Sequence, residues 1–163
     1  MDVLCIGSAV LDISARTVDR KDEWKDKQRI DSIEFFIGGD AVNQCVRMAD
    51  AGVSVGIVSA VGNDKNADAI RDELIRRNVN VNNLYVMDEY PTGTALVLLD
   101  KNAERTIFSV SGAYCELTGD DVKRILSPGL KAISIAGFFT EPVLEDDGGL
   151  LELLIAARET GIL

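Results

Sequence analysis

Two short strings pair side chains able to hold a polyhydroxylated ligand with backbone able to approach one. The first, Gly7-Ser8-Ala9-Val10-Leu11-Asp12, follows the apolar run Val3–Gly7, which reads as a buried parallel strand. Ligands of α/β proteins bind beyond the carboxyl ends of such strands. Asp12 therefore stands where a carboxylate can accept hydrogen bonds from ligand hydroxyls, or simply cap a turn. The second string is Gly38-Gly39-Asp40-Ala41-Val42-Asn43. Its two glycines let backbone come close to a ligand, and a helix starting near Ala41 offers free N–H groups. Asn43, on the first helical turn, both donates and accepts.

What the chain lacks is as informative. It has no histidine, so Ser-His-Asp and Cys-His nucleophilic triads and His-ligated metals are excluded. There is no GxxxxGK[ST] phosphate loop, and the turn after Val3–Gly7 lacks the later glycines of a dinucleotide fingerprint. Cys5, Cys45 and Cys115 lie far apart, without zinc spacing, and read as reduced, buried thiols of a cytoplasmic protein. The formal net charge of −10 disfavours nucleic acid and anionic lipid as partners. No apolar run approaches the ~20 residues of a membrane span. Chemistry must come from carboxylates, backbone amides, Lys or Arg, or a cofactor.

The elements that position these residues alternate. Ala41–Ala51 has helical periodicity, with Ala41, Cys45, Met48 and Ala49 on one face. Val53–Val61 reads as a strand, Asp64–Arg77 as a helix, Lys131–Ala136 as a strand and Leu150–Arg158 as a helix. After the helix-ending Gly161, Ile162 and Leu163 read as the first residues of a further apolar strand. Thr118-Gly-Asp-Asp121 has the look of a capping box. The alternation predicts an α/β domain, doubly wound, with a mostly parallel sheet flanked by helices. Ile13–Ile37 and Thr92–Ser109 break it. They carry alternating apolar residues and the turn Asp100–Ala103, and predict a small antiparallel β-lid inserted at about 13–37 and 92–110. The polar stretch Arg20–Arg29 reads as a solvated loop, with Trp24 as an anchor or oligomer contact.

In this order the segments resemble the ribokinase-like, phosphofructokinase-B-type carbohydrate kinases. Gly38, Gly39, Ala41, Asn43, Gly52 and Gly62 fit the family's amino-terminal signature. Gly62-Asn63-Asp64, Pro91-Thr92-Gly93-Thr94-Ala95, Glu104-Arg105-Thr106 and Ser111-Gly112-Ala113 look like its recurring segments. Cys45 replaces a usual Ser, Thr or Ala, Tyr114 a usual Asn, and Asp40 stands where some relatives place a lysine. The resemblance covers essentially the whole chain.

It implies an ATP-dependent, Mg²⁺-requiring transfer of a γ-phosphoryl group to a hydroxymethyl oxygen of a sugar or nucleoside. Asp12, Gly38, Gly39, Asn43 and Glu141 would form the acceptor site, with Thr94 or Arg105 covering it from the lid. Residues 1–163 would then be the amino-terminal part of one ribokinase-like domain, with no catalytic base among them. The nucleotide-binding half and the catalytic aspartate of a Gly-Ala-Gly-Asp segment would lie beyond Leu163, leaving 1–163 alone inactive. A homodimer through the β-lid is expected, since exposed strand edges invite pairing. The alternatives are a non-catalytic sugar- or nucleoside-binding module and a lid-mediated dimerisation fragment.

Overall fold

The computed structural model describes residues 1–19, 26–137 and 140–163. Trp24 and the first part of the Arg20–Arg29 loop lie outside them. The strands are β1 (Val3–Gly7), β2 (Val10–Arg16), β3 (Ser32–Gly38), β4 (Val55–Gly62), β5 (Asn80–Met87), β6 (Gly93–Leu99), β7 (Arg105–Val110) and β8 (Ala132–Ala136). The α-helices are α1 (Asp40–Asp50), α2 (Lys65–Arg76), α3 (Gly119–Lys123), α4 (Pro142–Asp146) and α5 (Gly149–Glu159), with a 3-10 turn at Ala113–Glu116.

Four strands form a wholly parallel sheet in the order β5-β4-β1-β8. Both faces are covered, as the apolar sequences of β1 and β4 require. On one face α1 and α2 bury Ala41, Cys45, Ile70 and Leu74 against Cys5, Ile57 and Val61. On the other, Val122, Leu144, Leu153 and Ala157 pack on Leu4, Ile6 and Val58. The sheet is therefore doubly wound. Among the described residues no helix is long and apolar enough to cross a membrane. Cys5 and Cys45 are free and buried, whereas Cys115 is only half-buried.

Leu163 differs from the strand residue expected there. It is not within a regular strand, although its backbone already follows the side of β8 away from β1. Its N–H donates to Lys131 O at 3.0 Å and its carbonyl accepts from Ile133 N at 2.7 Å, the slanted pattern of parallel pairing. Two hydrogen bonds on one residue make a bridge rather than a strand. Ile162 is buried in the core beside Leu153 and Ala157, while the Leu163 side chain is exposed.

The second sheet has the order β3-β2-β6-β7 and is mixed. β2 pairs antiparallel with β3, and β6 with β7, but β2 and β6 run parallel. The lid expected to be antiparallel is thus two antiparallel pairs joined by a parallel seam. The seam exists because β2 and β6 both leave the parallel sheet at its carboxyl edge and start in step, Val10 beside Gly93.

Two further differences concern boundaries. The lid begins at Val10 rather than Ile13, because Ser8 and Ala9 alone make the crossing from β1. Strand β5, NVNNLYVM, has no counterpart in the sequence pattern. Its asparagines suit an edge strand that turns every other residue to water, and they hide its periodicity.

Candidate functional site

Side chains alternate across a strand, so register alone sorts the lid residues by face. Asp12 lies opposite Phe36 on β3 and beside Ala95 on β6. Gly38, Val10 and Gly93, two residues nearer the root, share that face. Two of these three carry no side chain, and the space is used. A Cβ at Gly38 would sit 2.9 Å from the Asp12 Cγ, and one at Gly93 would sit 2.7 Å from the Tyr114 Cε1. The bare root row thus admits the Asp12 carboxylate and the Tyr114 ring to one face of the lid root, near the carboxyl edge of the parallel sheet.

Asp12 is half-buried and has no hydrogen-bond partner among the described residues, and desolvation raises its pKa. A carboxylate kept partly dry without a donor is poised to accept hydrogen bonds from ligand hydroxyls. It stands within strand β2, not in a turn after β1, so the turn-capping role falls away.

Gly39 precedes α1 with φ 93°, a conformation open to glycine at little cost. It supplies no side-chain cap, and Ser8 Oγ takes over by accepting the Asp40 N–H at 2.9 Å. Ser134 Oγ donates to Gln44 Oε1 at 2.6 Å and holds the same helix to β8. The helix start is therefore pinned to the β1 exit. Asp40 itself projects beside Gly137, where a Cβ would lie 2.5 Å from its Oδ2.

Glu141, which follows β8 and lies near Tyr114 and Asp40, is 2% exposed. Burial, with Asp40 and Glu145 nearby, pushes its pKa up to about 7 against a single bond from Thr140. The geometry agrees. Thr140 Oγ1 lies 2.5 Å from Gly137 O and 2.7 Å from Glu141 Oε1, yet has one proton for two acceptors. Both contacts are satisfied when Glu141 is protonated and donates to Thr140.

The remaining expected residues lie elsewhere. Thr94 alternates with Gly93 and Ala95 and faces away from Asp12, accepting from Asn66 Nδ2 at 3.1 Å and donating to Thr92 O. It anchors the lid to α2 rather than covering a ligand. Arg105 starts β7 opposite Leu99, at the far tip of the lid and exposed. Asn43 is exposed on the first turn of α1 and lines a groove of about 590 Å³ with Phe35, Phe36, Ile37, Arg47 and Glu73. Leu163, bonded at the amino end of β8, stands at the edge of the sheet opposite the cleft and takes no part in it. Tyr114 marks a departure from the family pattern in sequence, and the structure gives it a place. That place depends on the Gly93 contact, which no local signal announces.

The motif Gly62-Asn63-Asp64 with Pro91-Thr92-Gly93 builds the lid root. Asp64 caps α2 through Ala67 N at 2.9 Å, and accepts from Thr92 N at 2.9 Å and Thr92 Oγ1 at 2.7 Å. Thr92 Oγ1 in turn accepts from Gly62 N at 3.0 Å. Burial pushes the Asp64 carboxyl up, but these donors outweigh it and leave its pKa lowered. Among the described residues no group of three Cys, Asp or Glu is arranged to hold a metal ion. A Mg²⁺ cage does not fit the residues present.

A doubly wound parallel sheet that carries a mixed β-lid at its carboxyl edge defines an α/β fold of ribokinase type. The chain belongs to the pfkB family of carbohydrate kinases, whose model matches residues 1–161. It is 30% identical over 162 residues to ribokinase from Mus musculus, covering 98% of this chain and 48% of that protein. Fructokinase from Salmonella typhimurium is 36% identical over 69 residues, 42% of this chain and 22% of the relative. Among solved structures, ribokinase from Arabidopsis thaliana complexed with ribose and ATP superposes with a TM-score of 0.79 at 19% identity. That match covers 99% of this chain and 51% of the plant protein, and it shows the shared fold. The chain thus spans about half the length of the mouse relative.

Proposed function

We propose that the intact protein is an ATP-dependent kinase that phosphorylates a hydroxymethyl group of a sugar or nucleoside, and that residues 1–163 hold the acceptor. The observation that carries this reading is the half-buried Asp12 carboxylate, which has no hydrogen-bond partner among the described residues and shares one face of the lid with Gly38 and Gly93. Asp12 accepts from acceptor hydroxyls, Gly38 and Gly39 keep backbone close to it, and Glu141 presents a carboxyl that changes protonation near neutrality. In the transfer the acceptor oxygen bonds to the γ-phosphorus, the bond to the leaving β-phosphate oxygen breaks, and a base takes the hydroxyl proton. That base is assigned to the part of the intact protein beyond Leu163. Phosphoryl transfer also needs charge neutralisation by the nucleotide's Mg²⁺. No step is assigned to that ion, since the described residues offer it no cage.

The lid supports a homodimer. Phe35, Ile13, Leu96 and Phe108 form one row on the face opposite Asp12, with Phe35 65% and Phe108 47% exposed. Such a continuous apolar row marks an interface, and we assign it to a second copy of the lid.

The test is release of ADP by the full-length protein with ATP, Mg²⁺ and a panel of sugars and nucleosides. Asp12→Ala should weaken acceptor binding roughly 10- to 150-fold, the loss of a buried hydrogen bond to a charged group. Unchanged calorimetric affinity in a folded Asp12→Ala protein would refute the acceptor site. Absence of acceptor-dependent ADP release would refute the kinase reading.

A further inference from the structure

Resting on the acceptor-site reading above, we infer that Tyr114 is a specificity-determining residue of the cleft, selecting ring-closed acceptors over open-chain polyols. Tyr114 belongs to the 3-10 turn that follows β7, and the start of this turn is fixed by glycine packing. A Cβ at Gly112 would lie 2.5 Å from the Gly93 Cα, so the turn is seated directly on the root of β6. Ala113 N also donates to Pro91 O at 2.9 Å. The ring then takes the room left open at Gly93, with its Cδ1–Cε1 edge against that residue.

Gly93 neighbours Val10, and Asp12 is two residues further along the same face. Strand spacing of ~4.8 Å and a rise of ~3.3 Å per residue separate the Gly93 and Asp12 positions by roughly 8 Å. On the other side of Asp12 stands Phe36, its direct cross-strand neighbour, which is 47% exposed. An unpartnered carboxylate is therefore flanked on one surface by two aromatic rings. A ring-closed sugar or nucleoside matches this pattern, because it offers hydroxyls along its edge and a C–H or base face across its plane. An open-chain alditol offers hydroxyls in every direction and has no such face.

The phenol strengthens the assignment. Burial, with Cys115 and Glu141 nearby, pushes the Tyr114 pKa up to about 12, so the O–H stays a donor throughout the neutral range. The selection rests on the ring face, which a Phe also presents.

The experiment compares the full-length wild type with Tyr114→Asn and Tyr114→Phe. Acceptors are locked rings (nucleosides and methyl furanosides with a free hydroxymethyl group) and alditols of matching carbon count. Tyr114→Asn should raise KM for the ring-closed class about 5- to 10-fold, with kcat and the alditol KM within about twofold. Tyr114→Phe keeps the ring and should restore the preference for the ring-closed class. Equal changes for both classes, or none, overturn the inference. If Tyr114→Asn fails to fold by circular dichroism, Tyr114→Leu replaces it with the same outcomes required. If the wild type turns over no acceptor, the kinase reading fails. Calorimetric binding of the two classes to wild type and variant then decides the role of Tyr114 separately.

Discussion

Strand β4 is buried at all eight positions, whereas strand β7 is exposed at all six, although both are rich in β-branched residues. The difference lies in what covers them. β4 lies between β1 and β5 with helices above and below, so every side chain leaves water. β7 is the outer strand of a four-stranded sheet that has helices only near its root. Its Ile107, Phe108 and Val110 are 48%, 47% and 61% exposed. The parallel sheet stores stability, and the lid stores surface. The two meet at the bare row of Gly38 and Gly93, where no side chain fills the space beside Asp12 and Tyr114.

The contrast is most easily broken from the core. Ile57 on β4 is fully buried, and Ile57→Ala should cost about 2–5 kcal/mol through lost transfer energy and a residual cavity. Phe108→Ser on the lid should cost less than about 0.5 kcal/mol in the monomer. Urea denaturation of both variants in the full-length protein checks the ratio. Equal losses would mean that the lid is part of the core.

Glu141 sharpens the comparison at the junction. Its folded pKa of about 7 lies above the ordinary 4.5, so the native state holds the proton more tightly. Stability should therefore fall as pH rises from 4.5 to about 7. Glu141→Gln should remove that fall and stabilise the protein on the order of 1–3 kcal/mol at pH 8, but little at pH 4.5. Denaturation midpoints at the two pH values measure it, and a flat wild-type profile would contradict the assignment.

Asp64 has the opposite sign. Its lowered pKa means that its stabilisation is present above the ordinary value of 3.8 and is lost as pH falls through the folded value. Asp64→Ala, which removes an N-cap and the two Thr92 bonds, should cost about 1–2 kcal/mol at pH 7 and progressively less in acid. Hydrogen exchange should localise the loss to α2 and the root of β6.

The smallest effect is a gain. Ser59 on β4 is fully buried and its hydroxyl has no partner among the described residues, so Ser59→Ala should stabilise by about 1 kcal/mol. Thermal melting reads this directly. A loss would show that the hydroxyl is satisfied in solution.

Much of this architecture is legible in the sequence because β1, β4, α1, α2, β8 and α5 announce themselves by apolar runs or helical spacing, with ends shifted by one or two residues. The capping box at Thr118 and Asp121 and the turn at Asp100–Ala103 also form as their residues suggest. Asp12 and Gly38 meet on one face of the lid because β2 and β3 pair there, and Glu141 follows the carboxyl end of β8. The parallel seam between β2 and β6 is not legible, since pairing between residues 83 positions apart leaves no local mark. For the same reason sequence alone cannot assign Thr94 to a face. Once Val10 is paired with Gly93, alternation places it at once on the side away from Asp12. Helix α4 escapes the pattern because five residues carry no periodicity.

The Asp64–Thr92 latch has a mechanical side. It clamps the lid at one end of a strand of seven residues, β6, whose length at ~3.3 Å per residue is roughly 23 Å. A lid held at its root, there and by the Asn66–Thr94 bond, behaves as a lever with its fulcrum beside Gly93. A rotation of about 10° at the root, within what a few terminal residues absorb, carries the tip about 4 Å. Near the fulcrum, where Asp12 and Tyr114 stand, the same rotation displaces atoms by little more than about 1 Å. The tip can therefore sweep while Asp12 and Tyr114 stay nearly still.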